Sequence, residues 1–205
     1  MPFGAGKVAL LGAAGSGGDD SAIKWIAGMN GTGSSYSLLF DSIPQTYRHL
    51  RIVLGSVMQS TNGVYTEWKI NGNSTGLKMA DYYQDDSTVY NFWRQQLQTG
   101  RWPQEYTPYS SGGPSNVGAL IADFQAYTAA GTGVGYAQST MQAMYGPNNS
   151  ATDNHVGGVV WAPDNGSGSY TGDPVAITSI EIITDHSSYH WQTNMRADLY
   201  GIGSA

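Results

Sequence analysis

The carboxylates are the first side chains that could do chemistry, because two of them placed across a glycosidic bond can cleave it. No spacing singles out such a pair, and a β-rich domain of this size ordinarily carries as many. The chain also lacks a cysteine nucleophile. We therefore predict that the protein is not an enzyme. The carboxylates considered are Glu67, Asp81, Asp85, Asp86, Glu105 and Asp123.

The histidines are the next candidates, as metal ligands. His186 and His190 are four residues apart and would share one face of a helix. Their segment has the pattern of a loop after a strand, and Asp185 is the only carboxylate nearby, so a third ligand with suitable geometry is missing. Acidic loop residues such as Asp85 and Asp153 fit turns as well as calcium sites. We expect no metal and no cofactor.

An aromatic-rich region between residues 82 and 109 is the strongest positive feature. Exposed aromatic side chains stack on sugar rings or are buried in protein interfaces. They can equally cover one end of the fold as a secondary core, and the sequence leaves all three alternatives open. The candidate interface or glycan-stacking residues are Trp93, Trp102, Tyr106 and Tyr109.

Short strands must position these residues. Leu50, Ile52 and Leu54 alternate with polar or smaller neighbours, which is the pattern of a half-buried strand. Asn71-Gly72 is a strong hairpin signal after another such strand. A short helix or turn is an alternative for 77–84. The pattern predicts an all-β fold, an antiparallel jelly-roll-like β-sandwich with long loops. The predicted strands are 36–40, 49–57, 66–70, 117–127, 140–145, 156–161, 175–184 and 195–202.

The first 35 residues differ from the rest. Residues 15–20 and 28–35 have the Gly/Ser composition of flexible linkers, and Trp25 lies between them. We predict a Gly-rich N-terminal arm at 1–35 and a β-sandwich domain at 36–205. The arm could pack on its own domain or on a neighbouring subunit.

Composition excludes several classes of partner. The net charge of −6 and pI of about 4.9 argue against nucleic-acid binding. No apolar run approaches the roughly 20 residues that cross a bilayer, so we expect no membrane insertion. The start of the chain also lacks the pattern of a secretory signal.

Several short motifs stand at strand entries and at the closing strand, namely IPQTYRHLRI at 43–52, WKING at 68–72, ITSIEI at 177–182 and ADLYGI at 197–202. Together they resemble a diffuse family of small virion structural proteins of tailed bacteriophages, and the opening MPFGAGK is similar to other phage structural proteins. The resemblance implies a jelly-roll-like sandwich on a virion, commonly a symmetric oligomer, and no catalytic residue. It spans residues 43–202 and leaves 81–115 unmatched.

The resemblance leads to two hypotheses. The first is a capsid decoration, or cement, protein located on the virion, a homotrimer that clamps the head shell by binding the major capsid protein or another virion protein. The alternative is a receptor- or carbohydrate-binding module of a tail or head fibre, which would bind a host surface glycan through the aromatic region. The residues assigned to the capsid-binding arm are Phe3, Lys7, Leu10, Leu11 and Trp25.

Overall fold

The computed structural model describes residues 22–55, 66–73, 77–85, 88–94, 118–125, 127–128, 137–148, 151–161, 176–184 and 186–204. Within these ranges the chain forms eleven strands and no helix, and therefore no helix that could span a membrane. The strands are β1 (Ile23–Asn30), β2 (Ser37–Phe40), β3 (Tyr47–Gly55), β4 (Thr66–Ile70), β5 (Leu77–Asp85), β6 (Thr88–Arg94), β7 (Gly118–Gln125), β8 (Ala137–Asn148), β9 (Ala151–Trp161), β10 (Ile180–Thr184) and β11 (Arg196–Ser204).

The strands form two antiparallel sheets. The large sheet has eight strands in the order β1-β11-β3-β7-β8-β9-β5-β6, and the small sheet has three in the order β2-β10-β4. Every strand pair is antiparallel. The described part of the chain is thus all β, as predicted, and two such sheets are consistent with a β-sandwich.

One apolar core draws side chains from both sheets. In β3 the predicted alternation is confirmed, because Leu50, Ile52 and Leu54 are buried while the residues between them are half-buried. Trp68 of the small sheet packs on Phe124 of the large one, with ring centroids 6.1 Å apart. These contacts stabilise the pair of sheets, at about 25 cal/mol for each Å² of apolar surface removed from water.

The hairpin at Asn71-Gly72 confirms the turn that the dipeptide predicts. Asn71 has φ of 51° and Gly72 of 76°, and Ile70 and Asn73 exchange two backbone hydrogen bonds of 3.0 and 2.9 Å. Two consecutive positive φ values define the type I′ turn, which suits the twist of antiparallel strands. The hairpin tip also holds the chain before β10, because the Asn71 side chain is hydrogen-bonded to residues 176–179.

β5, β8 and β10 depart from the sequence-based expectations. The helix or turn considered for 77–84 is wrong, because β5 is hydrogen-bonded along both edges, to β6 and β9. β8 continues through Gly146 and Pro147, past the predicted end at 145, and a register shift between Tyr145 and Asn148 accommodates the proline. β10 starts at Ile180 rather than Val175, since Asn71 binds the backbone of the preceding residues.

The later part of the predicted arm belongs to the large sheet. β1 pairs with β11 of its own domain, which is one of the two alternatives that the sequence left open. The Gly/Ser stretch after it is fixed by backbone hydrogen bonds, from Gly31 to Met195 and from Gly33 to Trp191. A side chain at Gly31 would lie 2.0 Å from the Gln192 carbonyl oxygen, so glycine serves close approach there rather than flexibility. Residues 1–21 lie outside the described residues.

Candidate binding face of the large sheet

The outer face of β1, β11, β3 and β7 is the best candidate for a functional site. Side chains of one parity on these strands enter the core, so their neighbours point outward. Residues that face each other across an antiparallel pair lie on the same side of the sheet. Two rows of outward side chains therefore cross the four strands, namely Trp25-Tyr200-Arg51-Asp123 and Ile23-Ile202-His49-Gln125.

Trp25 is the most exposed large apolar side chain on this face, with 59% of its surface accessible. Its ring is nonetheless held in place, because the indole Nε1 donates a 3.0 Å hydrogen bond to Asp198 Oδ1. Arg196 donates two further bonds of 2.7 Å to the same carboxylate. These groups lie over Gly28, where a Cβ atom would be 2.5 Å from Asp198 Oδ1. The result is an exposed aromatic ring with little freedom to reorient.

The Asp198 carboxyl shows the electrostatic effect of this arrangement. Burial alone would raise its pKa, but hydrogen bonds from Arg196 and Trp25, together with the positive charge of Arg196, outweigh burial and lower it. Asp198 therefore stays ionised at neutral pH and remains an acceptor for both neighbours.

Further apolar side chains lie on the same face of the sheet. Ile23 is 51% exposed and Ile121 is 38% exposed, and Val53 lies opposite Ile121 on the adjacent strand. Tyr200 and Ile202 are half-buried between them. A sheet face that combines Trp, Tyr, Ile and Arg has the composition of the energetically important part of a protein interface.

A shallow depression of about 310 Å³ lies within this face. An ion pair forms part of its wall: Arg51 Nε donates to Asp123 Oδ1 at 2.6 Å, and Nη2 donates to Oδ2 at 2.8 Å. The hydrogen bonding of Arg51 to the Asp123 carboxylate is the main reason that the pKa of the Arg51 guanidinium is raised. The remaining lining residues are His49, Gln125 and Ile202.

β1, one of the two edge strands of the large sheet, carries features that oppose strand addition. A register shift between Trp25 and Ala27 marks a bulge at Ile26, and Lys24 places a charge on the same strand. Bulges and lysines are common devices that stop edge strands from pairing with other chains. Contacts made by β1 are therefore expected to use its side chains rather than its backbone.

The predicted site residues fall in different places. Trp25 lies on this face, at one edge of the large sheet. Trp93 lies in β6 at the opposite edge, where it pairs with Ala80, so the structure does not bring these two tryptophans together. The other arm residues, Phe3, Lys7, Leu10 and Leu11, and the other aromatic candidates, Trp102, Tyr106 and Tyr109, lie outside the described residues.

Sequence reasoning missed most of the face. Asp123 was considered only as one of several carboxylates, and Arg51 only as an outward strand residue. The alternation in β3 does reveal that Arg51 points away from the core. Its pairing with Asp123, 72 residues later, depends on the register of β3 and β7, which the local pattern does not contain.

The histidine pair lies in a loop, as predicted. His186 and Tyr189 follow β10, with ring centroids 5.1 Å apart, and Ser188 donates its backbone N–H to His186 Nδ1. Among the side chains that the structure describes, no three His, Asp or Glu residues come together in a group that could hold a metal ion.

Comparison of the chain with protein-family models, with curated proteins and with solved structures finds no match.

Proposed function

We propose that the chain is a non-catalytic virion structural protein, a trimeric capsid decoration protein with a jelly-roll-like sandwich fold. It would bind the major capsid protein or another virion protein. The observation that carries the proposal is the exposed and fixed Trp25 ring on a sheet face that also exposes Ile23 and Ile121. Exposed apolar side chains grouped on one face are typical of surfaces that bind a partner.

The position of Trp25 connects this face with the predicted arm. Residues 1–21 join the sheet at Ala22, immediately before β1, so an arm attached there starts beside Ile23 and Trp25. The arm and the face would then act together on one partner. Neither contact has to be strong by itself, because in a symmetric trimer each is repeated and the total attachment is multivalent.

The energetic argument also favours a preformed face. Ordering a Gly-rich arm on a partner costs conformational entropy, roughly 1–2 kcal/mol for each residue fixed. Trp25 avoids most of this cost, since its hydrogen bond to Asp198 already limits its rotamers. A fixed aromatic side chain is therefore a suitable anchor for the first contact, with the arm ordering afterwards.

Binding to particles tests the proposal. Purified protein is added to particles of the encoding phage that lack it, and bound copies are counted by sedimentation and quantitative mass spectrometry. We expect wild-type protein to bind in multiples of three. Trp25→Ser and deletion of residues 1–20 should each lower the affinity at least tenfold.

Leu39→Ser is the matched control, because Leu39 is similarly exposed, at 45%, but belongs to the small sheet. It should bind like the wild type. Absence of the protein from mature particles, or equal binding of all four proteins, would contradict the proposal.

A further inference from the structure

The depression on the outer face has the size and lining of a small-ligand site. Its volume of about 310 Å³ is at the lower end of the range for small-molecule pockets, roughly 300–1,000 Å³. It therefore suits a single small ring better than an extended polymer. Its lining is mixed, since Ile202 supplies an apolar wall while Arg51, Asp123 and Gln125 supply polar groups.

The ion pair in the wall has hydrogen-bonding capacity left for a ligand. Arg51 uses Nε and Nη2 on Asp123, but a guanidinium carries five N–H donors. Asp123 accepts one of these bonds on each oxygen, and an ionised carboxylate has about four acceptor sites. Two adjacent hydroxyl groups could donate to Asp123 and accept from Arg51 at the same time. The exposed Gln125 amide can donate and accept in the same way.

The charge of the site selects an uncharged ligand. Arg51 and Asp123 neutralise each other at 2.6–2.8 Å, so the wall presents neither a net positive nor a net negative group to a ligand. A phosphate or carboxylate bound to Arg51 would also lie beside the Asp123 carboxylate and be repelled by it, and an amine bound to Asp123 would be repelled by the Arg51 guanidinium. A neutral polyol makes its hydrogen bonds without either repulsion.

We propose that the depression binds the pyranose ring of a neutral glycoside. Adjacent hydroxyls bind Arg51 and Asp123, and the apolar C–H face of the ring packs on Ile202. Tyr200 lies opposite Arg51 on the next strand and Trp25 lies opposite Tyr200, so Trp25 is two strands away, or about 10 Å at the usual strand spacing. That distance places the Trp25 ring beyond the first sugar, where it can contact a further sugar of an oligosaccharide. The site goes beyond virion attachment and is separate from the aromatic region at 82–109.

The test uses the isolated full-length protein on an array of neutral and charged glycans, followed by titration of any hit as monosaccharide and as oligosaccharide. We expect neutral glycosides to bind, with affinity lost in Asp123→Asn and lowered about tenfold in Gln125→Ala. Trp25→Ala should weaken binding of the oligosaccharide and leave binding of the monosaccharide unchanged. Gln125 is exposed, so its substitution tests the site even where Asp123→Asn lowers stability.

Glu181→Gln is the control, because it removes an ion pair of 3.2 Å with Lys69 on the other sheet. It should bind glycans normally. An array on which the wild type binds no glycan at millimolar concentration would overturn the proposal. So would binding that ignores both substitutions in the depression or that is lost only in Trp102→Ala. Because no particle takes part in this assay, failure here is distinct from failure of the attachment proposal.

Discussion

Replacing Asn71 by alanine is expected to destabilise the fold strongly, although the residue lies at a hairpin tip. The side chain amide donates to the Ala176 carbonyl at 2.9 Å. Its oxygen accepts from the backbone N–H groups of Thr178, at 2.8 Å, and Ser179, at 3.1 Å. The backbone of Asn71 is left-handed, with φ of 51°. One side chain thus fixes both the turn and the entry to β10.

The magnitude follows from these contacts. Alanine leaves three backbone groups without their partner, and each net hydrogen bond contributes about 1 kcal/mol. Thr178 is exposed, so water replaces part of the loss and about 2 kcal/mol remains. The left-handed conformation costs alanine about 1 kcal/mol more. The total of about 3 kcal/mol corresponds to a fall in Tm of roughly 6–12 °C for a chain of this length.

Urea unfolding followed by tryptophan fluorescence measures the change, since Trp68 and Trp191 are fully buried. Asn71→Gly is the matched control. It also loses the side chain bonds but tolerates positive φ, so it should cost about 1 kcal/mol less than alanine. An Asn71→Ala protein within about 0.5 kcal/mol of the wild type, the usual effect of a neutral surface substitution, would refute the reasoning.

Three further substitutions test other contacts. Gly201→Ala should lower the free energy of unfolding in urea by about 1–3 kcal/mol, because its Cβ would lie 2.3–2.5 Å from ring carbons of Tyr47. Gly55→Ala is the control and should lower it far less, because no atom lies within 4 Å of the added Cβ. Equal effects would contradict this. Burial raises the pKa of Tyr127, so its contribution to stability is full below its ordinary pKa of about 10 and is lost as pH rises above it. Tyr127→Phe should remove that part of the alkaline decline, which an unchanged decline would disprove. The lowered pKa of Asp198 contributes stability above about pH 3.9, and this contribution is lost as pH falls. Asp198→Asn should therefore flatten the acid side of the plot of unfolding free energy against pH. An acid side like that of the wild type would rule this out.

β3 and β7 are the strands that the sequence predicts most directly, because their residues alternate between core and surface. β3 is the clearest, because Leu50, Ile52 and Leu54 are fully buried and the residues between them are not. β5 shows no comparable alternation, and its strand character comes from hydrogen bonds to β9, which lies far along the chain. A local sequence pattern does not reveal a partner strand so far along the chain. The same limit hides the strand order within each sheet.

The candidate face could be predicted only in part. Its residue type makes Trp25 a candidate from the sequence alone, whereas its neighbours Asp198 and Arg196 belong to β11, the last strand along the chain. In the sequence Asp198 is 173 residues away from Trp25, and only the register of β1 on β11 brings the two together. The sequence also predicts a flexible linker for the Gly/Ser stretch after β1, which the structure shows to be held by backbone hydrogen bonds. Glycines that permit close packing and glycines that permit motion have the same composition.

The strand order has a consequence for synthesis on the ribosome. β11 lies between β1 and β3, and β10 lies between β2 and β4, so in each sheet a late strand separates early ones. While the chain emerges from the ribosome, β1 lacks its hydrogen-bonding partner β11, and β2 and β4 lack the strand β10 that lies between them. Neither layer can close before residues 180–204 have left the exit tunnel. Closing of the core is therefore expected to follow release of these residues as one late event, with β1, β2 and β4 lacking their partner strands until then.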